Sequence, residues 1–154
     1  MSNIFCSRKM FAPYVEAVSA VLGLNDTADI VVDFKKKLDG DAGGYCFGDS
    51  ESIQIEIATH VQGERCPIAE VRLYIAHEMI HAKQLLEGRL KDHGIRIAAS
   101  TPKGIMIFEM AQTWLGKTYT NIAYEDAPWE HEAYNLEKSV MLSALHDLQM
   151  LKGI

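Results

Sequence analysis

The sequence predicts an α+β fold built from an N-terminal helix, a small twisted mixed sheet, a buried central helix and a C-terminal helix. Three observations carry this expectation. Residues 71–87 read V-R-L-Y-I-A-H-E-M-I-H-A-K-Q-L-L-E and are apolar around most of a helical circumference, the mark of a buried helix. Residues 52–57 alternate strictly, with Ile53, Ile55 and Ile57 on one face and Gln54 and Glu56 on the other, the pattern of a half-buried strand. After Pro128, apolar residues recur at helical spacing through Ala133, Leu136, Val140, Met141, Ala144 and Leu148.

Composition sets the bounds. A length of 154 residues suits one domain, 1–154, with a core large enough to fold unaided. Apolar content of 48% and charged content of 23% are ordinary for a globular protein. A net charge of −6 argues against non-specific nucleic-acid binding. No apolar run is long enough to span a bilayer, so no membrane partner is expected. Cys6, Cys46 and Cys66 are odd in number, widely spaced and without a C-x-x-C, which reads as free thiols in a reducing, cytoplasmic setting. Each also reads simply as a small buried apolar residue.

The elements follow in chain order. Arg8-Lys9 before residues 10–24 imitates an export signal, but Pro13, Tyr14, Glu16 and Ser19 interrupt the apolar run. Phe11, Val15, Val18 and Leu22 instead recur as one helical face, and Gly23 is the expected stop. Residues 29–34 are rich in β-branched side chains and predict a strand, with Lys35, Lys36 and Lys37 as its solvated end. A glycine cluster at 40–44 marks a turn, 45–47 a short strand, and Gly48-Asp49 a break before the strand at 52–57. Pro67 suits the first turn of the central helix and Gly88 the residue just past its end. Ile68, Ile75, Met79 and Leu86 lie on one of its apolar sides. Its remaining polar stripe is Glu70, Tyr74, His77 and His81, with Gln84 at the edge. Residues after Gly88 look irregular and mildly basic; 105–114 has an extended look from Ile105, Ile107 and Phe108 that Met110-Ala111 weakens, and 114–119 reads as a hairpin or bulged strand bending at Gly116. No repeat and no low-complexity segment appears.

The chemistry sits in H-E-M-I-H, residues 77–81. His77 and His81 at i, i+4 share one helix face, the geometry that offers a zinc ion two imidazole nitrogens at about 2.0–2.1 Å. Glu78, one residue past His77 and rotated by about 100°, can reach an activated water without occupying the metal. The motif also arises by chance, as two buried histidines bonded to backbone carbonyls.

A second stretch, Y-E-D-A-P-W-E-H-E-A at 124–133, supplies a partner. Pro128 suits a helix start, with Asp126 as a cap before it. Stepping by about 100° per residue puts Glu130 on the apolar face and Glu132 about 200° away. His131 and Glu132 are therefore expected in solvent. A glutamate on an apolar face calls for a cation, although a first-turn glutamate also suits the helix dipole. His77, His81 and Glu130 then form a set of two imidazoles and one carboxylate that leaves a position open for water. Glu130 follows His81 by 49 positions (130 − 81), so the third ligand arrives from a second helix.

H-E-M-I-H-A-K-Q, W-L-G-K-T-Y and Y-E-D-A-P-W-E-H-E-A together resemble the gluzincin branch of zinc metallopeptidases, in particular small single-domain members among phage and bacterial proteins. The matching region, 76–133, covers about 40% of the chain (58 of 154 residues). The resemblance implies a zincin-like fold and zinc as cofactor. It implies a third ligand in an E-x-x-A helix, here Glu130-His131-Glu132-Ala133, and polypeptide cleavage as a metallo-endopeptidase. It also implies a sheet edge that pairs with the peptide, assigned here to 52–57. The chain departs from larger gluzincins in having no evident second domain or propeptide. Such a mechanism needs an oxyanion donor. Tyr119, Tyr124, His93 and His131 are candidates, with Tyr124 nearest Glu130 in sequence. Two other readings stay open: a catalytically silent, zinc-stabilised peptide-binding module, and a non-peptide zinc hydrolase.

Overall fold

The computed structural model describes residues 3–24 and 28–152. A first strand, β1 (Ile4–Cys6), leads through a short 3-10 turn at Lys9–Phe11 into α1 (Ala12–Leu22). Then follow β2 (Asp29–Lys35), β3 (Gly44–Gly48) and β4 (Ser52–Ala58). A two-strand clip, β5 (His60–Val61) and β6 (Glu64–Arg65), precedes α2 (Ile68–Leu86). The chain continues through β7 (Leu90–Ser100), β8 (Met106–Trp114) and β9 (Lys117–Thr120) and ends on α3 (Pro128–Lys152). The result is an α+β architecture, as the sequence pattern leads one to expect. β1 is an addition: three residues are too few to show a period.

The first sheet is mixed, in the order β1-β2-β4-β3. β1 and β4 run parallel to β2, and β3 runs antiparallel to β4. Its register pairs Ile30 with Ile53, Val32 with Ile55 and Phe34 with Ile57. Because strand side chains alternate, this register places the isoleucines of β4 and the apolar residues of β2 on one face. Ile30, Val32, Ile53, Ile55 and Ile57 are all buried there, in one cluster with residues of all three helices. On strand positions of the other parity, Gln54 donates to Asp33 at 3.0 Å and Lys35 pairs with Glu56.

α1 buries Tyr14, Val15, Val18 and Leu22 and closes on Gly23, whose left-handed φ of 63° no β-carbon opposes. α2 packs on β3 and β4, and α3 packs on both α1 and α2. From Ile75 to Ala82 every residue of α2 is buried. Ile68 at its first turn is exposed, and so is Leu136 of α3. The helix phase placed both inward, but among the described residues neither side chain is covered. Ala127, not Asp126, receives the first helical hydrogen bond of α3, from His131 N–H at 3.1 Å. Among the described residues no helix is long and apolar enough to cross a membrane.

Residues 89–121 are not irregular. β7, β8 and β9 form a three-stranded antiparallel sheet. β8 and β9 join through Leu115 and Gly116, both at positive φ (51° and 83°), as a two-residue hairpin of this kind demands. The sheet is anchored at its base by buried Leu90, Ala111 and Trp114, while Ile95, Ile97, Ile107 and Phe108 further along are exposed. Beyond that base the ribbon exposes its apolar residues and buries almost nothing, so it lacks the inside–outside contrast that makes alternation legible. Two register shifts, at Asp92/Gly94 and Ile97/Ala99, break the period further.

The substrate-edge assignment to 52–57 does not hold. β4 is an interior strand, hydrogen-bonded to β2 on one side and β3 on the other, so its backbone has no free edge. Among the described residues the free edge nearest α2 belongs to β3.

Candidate metal centre

α2 carries His77 and His81 one turn apart, and α3 brings Glu130 to them from its first turn. The Nε2 atoms of both histidines lie 3.0 Å from the same Glu130 oxygen, Oε1. The potential ligand atoms of the three residues all fall within 4.8 Å of one another, and all three side chains are nearly excluded from solvent. The helix phase that put Glu130 inward agrees with this geometry.

The opposite ring nitrogens have partners of their own. His77 Nδ1 lies 2.7 Å from Glu137 Oε2. His81 Nδ1 lies 2.7 Å from Gln84 Oε1. A carboxylate only accepts, so His77 carries a proton on Nδ1, and in the neutral ring the Nε2 lone pair is then the one turned toward Glu130. Gln84 imposes the same arrangement on His81. In neutral rings, two bare nitrogens and a carboxylate oxygen would then meet in a buried place with no proton or cation between them. Glu78, Glu130 and Glu137 moreover set three carboxylates against two imidazoles. Buried charge of one sign is costly unless compensated. The donor set therefore fits a divalent cation, with imidazole and carboxylate ligands of the kind that transition metals take.

Without a metal, protons fill that role. Burial disfavours charge on His77, but Glu130, Glu78 and Glu137 outweigh it and raise the ring above its usual range. His81 is raised in the same way by Glu130 and Glu78. Burial would raise Glu130, yet hydrogen bonds and charge from the two histidines hold it well below the usual carboxylate range.

Glu78 is buried beside them. Burial pushes its carboxyl up to about 7, against the pull of His81 and His77. That proton affinity suits a general base working near neutral pH. Its neighbour across the sheet edge is Gly44 of β3, where a β-carbon would sit 2.8 Å from Glu78 Cγ. At Gly43 a β-carbon would meet the Tyr74 ring at 2.6 Å. The two glycines of the turn cluster thus let β3 lie directly on α2.

A cleft of about 1120 Å³ opens over the centre. One wall is β3; the other includes Asp92, His93 and Gly94 of β7. Of the oxyanion candidates, Tyr124 and His93 line the cleft. Tyr124 OH lies 2.9 Å from Tyr134 OH, and burial, Tyr134 and Glu130 all raise its pKa. His93 sits at the Asp92/Gly94 register shift, its Nε2 2.7 Å from Thr113 Oγ1. Tyr119 does not reach the cleft: it packs edge-on against Trp129 with Lys117 over its face. His131 is exposed and bonds the Glu125 carbonyl.

Glu132 is not free in solvent. It takes both oxygens to Arg89 Nη1 at 2.9 Å and accepts from Gln84 Nε2 at 3.1 Å. Sequence reasoning also missed Glu137 and Tyr134, the latter with its ring 4.6 Å from that of His77. A signal was present: 134 and 137 follow Glu130 by four and seven positions, along the same helix stripe.

Comparison with protein-family models, curated proteins and solved structures finds no match for the chain. The fold and the site together define an α+β protein with a buried His77–His81–Glu130 group able to hold a metal ion.

Proposed function

We propose that the chain is a zinc-dependent peptidase, cleaving polypeptide at the His77–His81–Glu130 centre with Glu78 as general base. One observation carries the reading. A three-ligand set of the kind catalytic zinc sites use stands beside a buried carboxylate of raised proton affinity, in a cleft flanked by a free strand edge. The resemblance of H-E-M-I-H and E-H-E-A to gluzincins supports it.

His77, His81 and Glu130 would hold the ion, and zinc when bound supplies Lewis acidity toward a water and a carbonyl oxygen. Glu78 takes the proton of the attacking water and returns it to the leaving amine. The β3 edge lines the cleft and offers backbone groups to an extended peptide, which favours polypeptide over a small substrate. Tyr124 and His93 line the same cleft as donors for the developing oxyanion. The free thiols Cys6, Cys46 and Cys66 fit a cytoplasmic setting.

The test is hydrolysis of unfolded casein by wild type, by chelated protein and by Glu78→Gln, with metal content measured alongside. Zinc retained by Glu78→Gln with turnover lost by 100-fold or more supports the reading. Zinc bound by wild type with no hydrolysis of casein or of smaller amide and ester substrates makes the centre structural.

A further inference from the structure

We propose that Gln84, held by Glu132 and Arg89, is the positioning residue that fixes the tautomer and orientation of His81. The inference rests on the metal-centre reading but is read from this chain's own hydrogen bonds.

Gln84 is fully buried, at 0% exposure, one turn past His81 on α2. A buried amide has two donors and an acceptor to satisfy, and which end points where follows from its neighbours. Its Nε2 faces two pure acceptors: the Trp129 carbonyl at 3.0 Å and Glu132 Oε1 at 3.1 Å. Those two claim both N–H groups. The amide oxygen is left facing His81 Nδ1 at 2.7 Å. An amide oxygen only accepts, so His81 must carry a proton on Nδ1. Nε2 then faces Glu130 with its lone pair available for a metal whenever the ring is neutral.

The arrangement extends outward. Glu132 is aimed by Arg89, whose Nη1 lies 2.9 Å from each carboxylate oxygen. Arg89 in turn lies over the Trp114 ring, 5.3 Å from its centroid. The backbone oxygen that shares Gln84 belongs to Trp129, next to the ligand Glu130. Gln84 thus ties the end of α2 to the first turn of α3, the two segments whose separation sets the ligand geometry. His77 has a carboxylate, Glu137, for the same purpose. His81 has a neutral amide whose direction must be imposed, and Glu132 and Trp129 impose it.

Two readouts keep this inference separate from the metal reading. The first is the ring N–H of His81 by nitrogen-15 NMR, with and without zinc. A slowly exchanging Nδ1–H is expected in wild type in either state, and its loss or rapid exchange in Gln84→Met. A wild-type ring protonated at Nε2 alone overturns the proposal, whatever the metal does. The second is zinc affinity by chelator competition. Removing such an outer partner typically costs 10–100-fold, so Gln84→Met should lose that much. Glu132→Ala should lose part of it, while Glu132→Gln, which keeps an oxygen for Gln84, should restore most. Equal losses in Glu132→Ala and Glu132→Gln would make the effect one of charge and overturn the orienting role. Unchanged affinity in Gln84→Met would do the same. If Gln84→Met does not fold, the Glu132 pair and the wild-type NMR still decide. If wild type takes up no zinc, the metal reading fails and the ring proton alone judges the proposal.

Discussion

Gly44→Ala probes the apposition of β3 and α2. A β-carbon there would stand 2.8 Å from Glu78 Cγ, 3.1 Å from Oε1 and 3.2 Å from Cδ. Carbon atoms settle at about 3.5–4.0 Å, so Cγ must retreat by roughly 0.7 Å or more (3.5 − 2.8). Little room exists for it. Glu78 lies in the fully buried middle of α2, and Gly44 is held in register with Ile57 of β4. Gly44 is not at positive φ, so the cost is one of space and not of backbone strain. Overpacking of this size costs about 1–3 kcal/mol of stability. A misplacement near 1 Å at a reacting group costs on the order of 100-fold in rate. Urea unfolding should therefore show a loss in that range, zinc content should stay at wild-type level, and kcat on unfolded casein should fall by about 10–100-fold. Gly43→Ala is the control, because its β-carbon meets the Tyr74 ring and not Glu78. It should lose stability with a smaller effect on kcat. Wild-type stability and turnover in Gly44→Ala would refute the close approach of β3 to Glu78.

The remaining expectations concern the ligands and their supports. Glu130→Ala should lose zinc on dialysis, because two histidines alone leave the site incomplete; retention of stoichiometric zinc would remove it as a ligand. Glu137→Ala should weaken zinc binding by about 10–100-fold through His77 Nδ1, measured by chelator competition, and unchanged affinity would reduce Glu137 to a surface partner. Glu132→Ala should cost about 1 kcal/mol in urea unfolding, more than a free surface residue, because it breaks a two-oxygen contact with Arg89; a change within error would show that contact to be idle. In the chelated protein, Glu130 is held charged below its usual 4.5, so its stabilising effect is present above that pH and is lost as pH falls below it. His77 is held charged above its usual 6.5, so its effect is complete below that pH and is lost as pH rises past it. Glu78, raised from 4.5 to about 7, becomes costly as it ionises across that interval. Thermal melts of metal-free protein should therefore fall from about pH 5 to 9, and added zinc should oppose the fall because binding releases ligand protons. A metal-free melting temperature that climbs over that range would contradict this balance.

Much of the molecule is legible in the residues alone, and the reason is local periodicity. His77 and His81 share a face because they sit at i, i+4, and Glu130 points inward because it is in phase with Ala133, Val140 and Ala144. The β4 strand is legible because one of its faces is buried and the other is not. Tertiary structure decided what periodicity does not contain. Pairing order made β4 an interior strand and left β3 as the free edge, a matter of which strands meet and not of any one strand's pattern. β7 stayed hidden, and β8 showed only as a weak extended pattern, because beyond its base the ribbon has no buried face to contrast with its exposed one. Glu132 points away from the apolar face as its phase requires, yet Arg89 and Gln84 of neighbouring segments come to meet it there. Helix phase gives a direction. Whether that direction holds water or another side chain depends on how the helices cross, and only the folded chain specifies that.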